Sequence, residues 1–207
     1  MALDADEPIT PSQTDIAMKT KGARLLAVTM IIGILLAAPT AVHAEDAKLT
    51  NIIVTNTRDD LLLYLSVKNA FSPEVEDTIQ RGVPATFSFH LNLYRVRPFW
   101  PDKEITAVNV THTIKFDISR KEYTVTRSWE STSPAAVKSF EEAKKLMTEI
   151  DSLRIVSLQR LEKGKRYQIR AKAKLDKLTL PFYLHYVLFF VSLWDFETDW
   201  YTIDFIY

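Results

Sequence analysis

Asn69 to Trp100, NAFSPEVEDTIQRGVPATFSFHLNLYRVRPFW, packs a punctuated short helix, a glycine stop and a long alternating strand into one stretch. Ser72 suits an N-cap, and Pro73 suits the first helical position, where its missing N–H costs nothing. Glu74, Glu76 and Asp77 fall in the first turn, at the positive end of the helix dipole. Val75 and Ile79, four apart, share a face, and Arg81-Gly82 closes the helix with a cation and a left-handed residue. A helix of two turns is unstable alone in water, so it must be pinned to something larger. The strand from Pro84 supplies that support. Phe87, Phe89, Leu91 and Leu93 alternate with Thr86, Ser88, His90, Asn92 and Tyr94, the period of a half-buried antiparallel strand. Arg95 and Arg97 continue the apolar parity beyond the edge of the core, and Phe99-Trp100-Pro101-Asp102 ends it in a turn.

The same reading extends in both directions. Lys48 to Thr57 and Leu61 to Lys68 flank a polar turn and predict a hairpin. Glu104 to Asp117 and Glu122 to Trp129 predict a second. Ser133-Pro134 opens a predicted amphipathic helix from Pro134 to Ile150, on the spacing of Val137, Phe140, Met147 and Ile150. Arg154 to Leu161 reads as a strand. Gly164 then introduces an alternating strand over Lys165 to Leu175, and Tyr201 to Tyr207 reads as a final strand. Leu178 to Leu193 is apolar without a clean period, so a buried helix and a buried strand are both compatible with it. The expected fold is mainly β with two helices (α+β). About seven antiparallel strands form a sandwich-like domain, with one short and one longer helix packed on it, crossing between hairpins.

The N-terminus reads as an address. Lys19, Lys21 and Arg24 precede an uncharged apolar run of 14 residues, Leu25 to Ala38, then Pro39 and Ala41-Val42-His43-Ala44. That is the layout of a secretory signal peptide cut before Glu45. Extended to Val42 the run approaches the roughly 20 residues of a membrane span, so an uncleaved anchor over residues 25–42 is the alternative. Met18 is a natural start for such a signal. The expected organisation is a lead and signal peptide over 1–44 and one extracytoplasmic β-rich domain over 45–207. The location is the periplasm, or the inner membrane facing the periplasm.

Composition bounds the chemistry. The 207 residues are 47% hydrophobic, enough for a core, and the 26 basic and 26 acidic side chains balance. No global charge therefore recruits nucleic acid. The chain has no cysteine, which removes disulfides, zinc–thiolate sites and thiol nucleophiles. Its three histidines beyond the leader, His90, His112 and His185, lack the spacing of a metal site. By parity His112 faces the core as a hydrogen-bonded histidine. Asp195, Glu197 and Asp199 alternate in a way that suits calcium, but without the glycine of calcium loops they read as a solvated turn. No G-x-S-x-G elbow or glycine-rich phosphate loop is present, and no cofactor is expected.

Two groups of residues stand out as candidate surfaces. Arg166, Arg170, Lys172 and Lys174 set four cations along one face of a strand, over about 27 Å at ~3.4 Å per residue. They suit phospholipid head groups or an acidic partner; the plainer reading is a solvent face or a charge-protected edge strand. Arg95, Arg97, Phe99 and Trp100, with Tyr94, suit a surface cation–π cluster, against a plainer reading as aromatic packing at the end of the sandwich.

The chain resembles the bacterial exported proteins of the domain of unknown function 4390 family. The resemblance rests on Leu61-Leu-Leu-Tyr-Leu-Ser-Val, on Phe71-Ser72-Pro73 with Glu76 and Ile79, and on Arg81-Gly82-Val83-Pro84. It continues through Tyr94-Arg95-Val-Arg97, Trp100, Leu180-Pro181, Trp194 and Asp199-Trp200, from about Leu49 to Tyr207. The resemblance implies an N-terminal signal or anchor, a single extracytoplasmic domain and no assigned activity. Related proteins encoded beside a membrane histidine kinase imply a signalling partner. The expectation is a non-catalytic interaction or sensing module, partnered with an envelope signalling protein. Its rival is a periplasmic binder of lipid or another apolar ligand, with Leu178 to Leu193 lining the cavity. A hydrolase with an unrecognised site is the weakest reading.

Overall fold

The computed structural model describes residues 46–176 and 197–207. The signal or anchor reading of 1–44, the apolar run Leu178–Leu193, His185 and Asp195 lie outside the described residues. Two antiparallel sheets form the domain. The first has the order β1 (Lys48–Asn56), β2 (Asp60–Lys68) and β7 (Glu149–Ser157). The second runs β6 (Ala135–Val137), β5 (Glu122–Arg127), β4 (Lys103–Asp117), β3 (Ala85–Arg95), β8 (Arg166–Leu175) and β9 (Tyr201–Ile206). Nine strands are thus described where seven were expected. Each of them except β6 overlaps a strand read from the sequence, and at three residues β6 is too short for periodicity to detect.

Both helices are crossings between the sheets. Helix α1 (Pro73–Gln80) carries the chain from β2 to β3, and α2 (Phe140–Thr148) returns it from β6 to β7. The ends of α1 are made as the sequence dictates. Ser72 Oγ accepts from the Val75 N–H at 3.4 Å. At the other end the Gly82 N–H donates to the Ile79 carbonyl at 2.8 Å and the Val83 N–H to Thr78 at 3.3 Å, a Schellman closure. Gly82 sits at φ +86°, and a Cβ there would meet Ile118 Cδ1 at 3.3 Å. Gly82→Ala is therefore expected to cost about 1–2 kcal/mol, since an L-residue resists the left-handed region. A urea midpoint unchanged from the parent would contradict this closure.

The core follows the alternation. Ala85, Phe87, Phe89, Leu91 and Leu93 of β3 are buried, as are Tyr167, Ile169, Ala171, Ala173 and Leu175 of β8. They face Leu61, Leu63, Leu65 and Val67 of β2 in one cluster that also takes in Val75 and Ile79. Aromatic rings link sheet to helix: Phe87 to Phe71 at 5.0 Å, Phe71 edge-on to Phe140 at 5.7 Å, and Phe140 to Tyr123 at 5.5 Å.

The long helix expected over Pro134–Ile150 is shorter at both ends. Ala135–Val137 instead forms β6 on the edge of β5, with Val137 opposite Tyr123. At the other end Glu149 is already extended, at φ −108° and ψ 133°, and Ile150 pairs with Leu65. The strand expected over Arg154–Leu161 correspondingly begins at Glu149 and stops at Ser157, before a 3-10 turn at Leu158–Arg160.

Candidate interaction surface

His112 is the one fully buried histidine among the described residues. It lies on β4 at 0% exposure. Trp129 Nε1–H donates to its Nε2 at 3.0 Å, which leaves Nδ1–H to donate to the Met147 carbonyl at 3.0 Å. That carbonyl belongs to the last turn of α2, where backbone acceptors lack helical partners. Burial lowers its pKa from 6.5 to about 4; the Met147 carbonyl opposes the shift and the Arg127 charge adds to it. His112 is thus a neutral tie between sheet and helix. His90 sits on the opposite face of the same sheet, bonded to Asn109 Oδ1 at 2.8 Å. The fold keeps these two histidines apart, and no group of three or more metal-binding side chains occurs among the described residues.

The basic strand is not an edge. β8 lies between β3 and β9, which corrects the edge-protection reading; only non-local pairing decides a strand's neighbours. Two of its four cations are already engaged. Arg170 Nη2 meets Asp102 Oδ2 at 3.0 Å, its Nε donates to Gln168 Oε1 at 2.6 Å, and its guanidinium lies 4.4 Å from the Tyr94 ring centroid. Lys172 is ion-paired with Glu197, whose pKa it lowers through that hydrogen bond and its charge. Its ammonium also stands 5.5 Å from the Trp200 ring. With Glu197 engaged by Lys172, the acidic turn has a cation of the chain's own beside it. Arg166 and Lys174 have no ion pair among the described residues.

The other group sits where β3 stops and β8 begins. The Val96 N–H donates to the Arg166 carbonyl at 3.0 Å, so the β3–β4 loop and Arg166 share one end of the six-stranded sheet. Arg95 is ion-paired with Glu162 of the β7–β8 connection. Arg97 donates from Nε and Nη2 to the Pro101 carbonyl at 2.9 and 2.6 Å, which closes the loop over Pro98–Trp100. Phe99 is held at φ +66°, a conformation that costs a non-glycine residue roughly 1–2 kcal/mol. Its ring is fully exposed at 102%, and Trp100 is 73% exposed. The aromatic-packing reading is therefore corrected for these two. Of the expected cation–π cluster, only Tyr94 makes such a contact among the described residues, and with Arg170 rather than Arg95 or Arg97.

Sequence reasoning also missed the company this tip keeps. Ile206, opposite Arg166 in register, is 73% exposed. Lys103, Lys163 and Lys165 are exposed at the same end, since Lys103 pairs with Arg95 and the Tyr207 N–H donates to the Lys165 carbonyl at 3.1 Å. Burying a side chain such as Phe is worth roughly 1.5–3 kcal/mol. The fold forgoes that gain at Phe99 and strains the backbone as well.

A family model, Domain of unknown function (DUF4390), matches residues 44–204. The chain belongs to this family. The match takes in both helices, the aromatic tip and Arg166. No curated protein and no solved structure matches the chain. Among the described residues no helix is long and apolar enough to cross a membrane.

Proposed function

We propose that this chain is an exported, non-catalytic interaction or sensing module of the bacterial envelope. It works in the periplasm or tethered to the inner membrane, beside an envelope signalling protein. The observation that carries the reading is the tip Phe99-Trp100. Two large apolar side chains stand in water, fixed by a left-handed residue and by the Arg97–Pro101 hydrogen bonds. Strained, exposed positions of this kind concentrate at ligand clamps and binding sites. Exposed aromatics beside arginine are also what interface anchors are made of.

The test uses a photo-reactive amino acid placed at position 99 or 100 of the full chain in living cells, with position 118 as control. Ile118 is 62% exposed on the β4–β5 turn, away from the tip. Light should give discrete cross-linked species from 99 and 100 and none from 118. Equal, diffuse cross-linking at all three positions would overturn the reading.

A further inference from the structure

We infer that the Phe99-Trp100 end of the sheet docks onto an anionic phospholipid surface. This rests on the reading of the tip as the interaction site and names what it meets. The tip combines two chemistries. Phe99, Trp100 and Ile206 present apolar surface, and tryptophan in particular favours the head-group boundary, where its ring is half in hydrocarbon and its N–H half in water. Around them stand Arg97, Lys103, Lys163, Lys165 and Arg166, all exposed and none in an ion pair among the described residues.

The exposed carboxylates nearby, Glu104 next to Lys103 and Asp204 of β9, are too few to cancel that charge. Glu162 is taken by Arg95, and Asp102 by Arg170. The chain as a whole is neutral, with 26 charges of each sign. The excess of cations at this end is therefore local. A neutral protein with one basic, aromatic end presents that end to a negative surface. The arrangement matches peripheral membrane contacts, in which aromatic insertion and attraction to anionic head groups act together. A neutral partner face would gain little from five cations free of ion pairs.

The absence of cysteine makes the test direct. Trp100→Cys in the full chain takes an environment-sensitive dye at one position, and Ile118→Cys serves as control. The dye reports the tip itself, whatever residues 25–42 contribute to binding. With phosphatidylglycerol vesicles its emission at position 100 should shift to the blue and be quenched by a lipid-borne quencher. The shift should fade at high salt and be weak with phosphatidylcholine vesicles. Lys103→Gln with Arg166→Gln should raise the phosphatidylglycerol needed for half the shift, by roughly thirtyfold in effective affinity. An unshifted dye at position 100, or equal shifts with both lipids, would overturn the inference. If the dye is unshifted while 99 and 100 still cross-link to a protein in cells, the lipid assignment alone fails. If neither responds, the tip is not a binding site.

Discussion

Between pH 6.5 and pH 4 the domain is expected to lose about 3 kcal/mol of stability through His112 alone, at about 1.4 kcal/mol per pKa unit. Burial holds the ring neutral in the fold down to about pH 4. In the unfolded chain it takes a proton near its ordinary 6.5. Over that window the unfolded state binds more protons, so stability is full above pH 6.5 and falls as pH drops. The loss is complete below about pH 4. The carboxylates of Glu74, Asp117 and Glu197 have lowered pKa values, so their contributions are lost only as pH falls through and below their unfolded values of 4.5, 3.8 and 4.5. The interval from pH 6.5 to 5 therefore isolates the histidine, at about 2 kcal/mol. Urea unfolding at pH 7 and pH 5 should show this difference in the parent and a much smaller one in His112→Gln. A parent whose stability is flat over that interval would refute the buried neutral ring.

The second large effect is expected at Phe89. Its side chain is fully buried, it sits between Val110 and Ala173 in register, and its ring centroid is 4.8 Å from that of His112. Phe89→Ala removes packing from both sheet and histidine and should cost about 4 kcal/mol, the usual range for an emptied aromatic site. Phe99→Ala, ten positions along the chain, should change stability by less than about 0.5 kcal/mol, because its ring touches water. Denaturation midpoints of the two variants compare a core aromatic with a surface one in a single fold. A loss under about 1.5 kcal/mol at Phe89, or a loss of comparable size at Phe99, would show that the core has been misplaced.

What the sequence disclosed depended on whether the deciding interaction was local. Helix α1 was legible residue by residue, since Ser72, Pro73 and Gly82 act on their own backbone. The alternation of β3 and β8 was equally plain, because each strand faces one core. The helix expected over Pro134–Ile150 was overextended for a specific reason. Ser152 lies at φ +56°, and the pairing of β7 with β2 shifts register around it. That irregularity spaces Ile150 and Leu153 three apart, continuing from Met147, so a bulged strand carries a helical period.

The candidate surface was half legible. Arg95, Arg97, Phe99, Trp100 and Arg166 were all singled out, and the fold brings them to one end. Their roles were not legible, because which cations find an acid depends on contacts such as Arg95–Glu162 and Arg170–Asp102, 67 and 68 residues apart. The exposure of Phe99 was hidden for a related reason. Phe99 lies within the Arg97–Pro101 closure at positive φ, and neither feature is written in the alternation of apolar residues.

Amide hydrogen exchange on the full chain, alone and mixed with envelope membranes, tests most directly whether this end of the sheet is where the protein binds. Peptides covering 96–103 and 163–167 should gain protection, and those covering the 118–122 turn should not change. Protection confined to other parts of the domain, with 96–103 exchanging as in the free protein, would contradict the assignment.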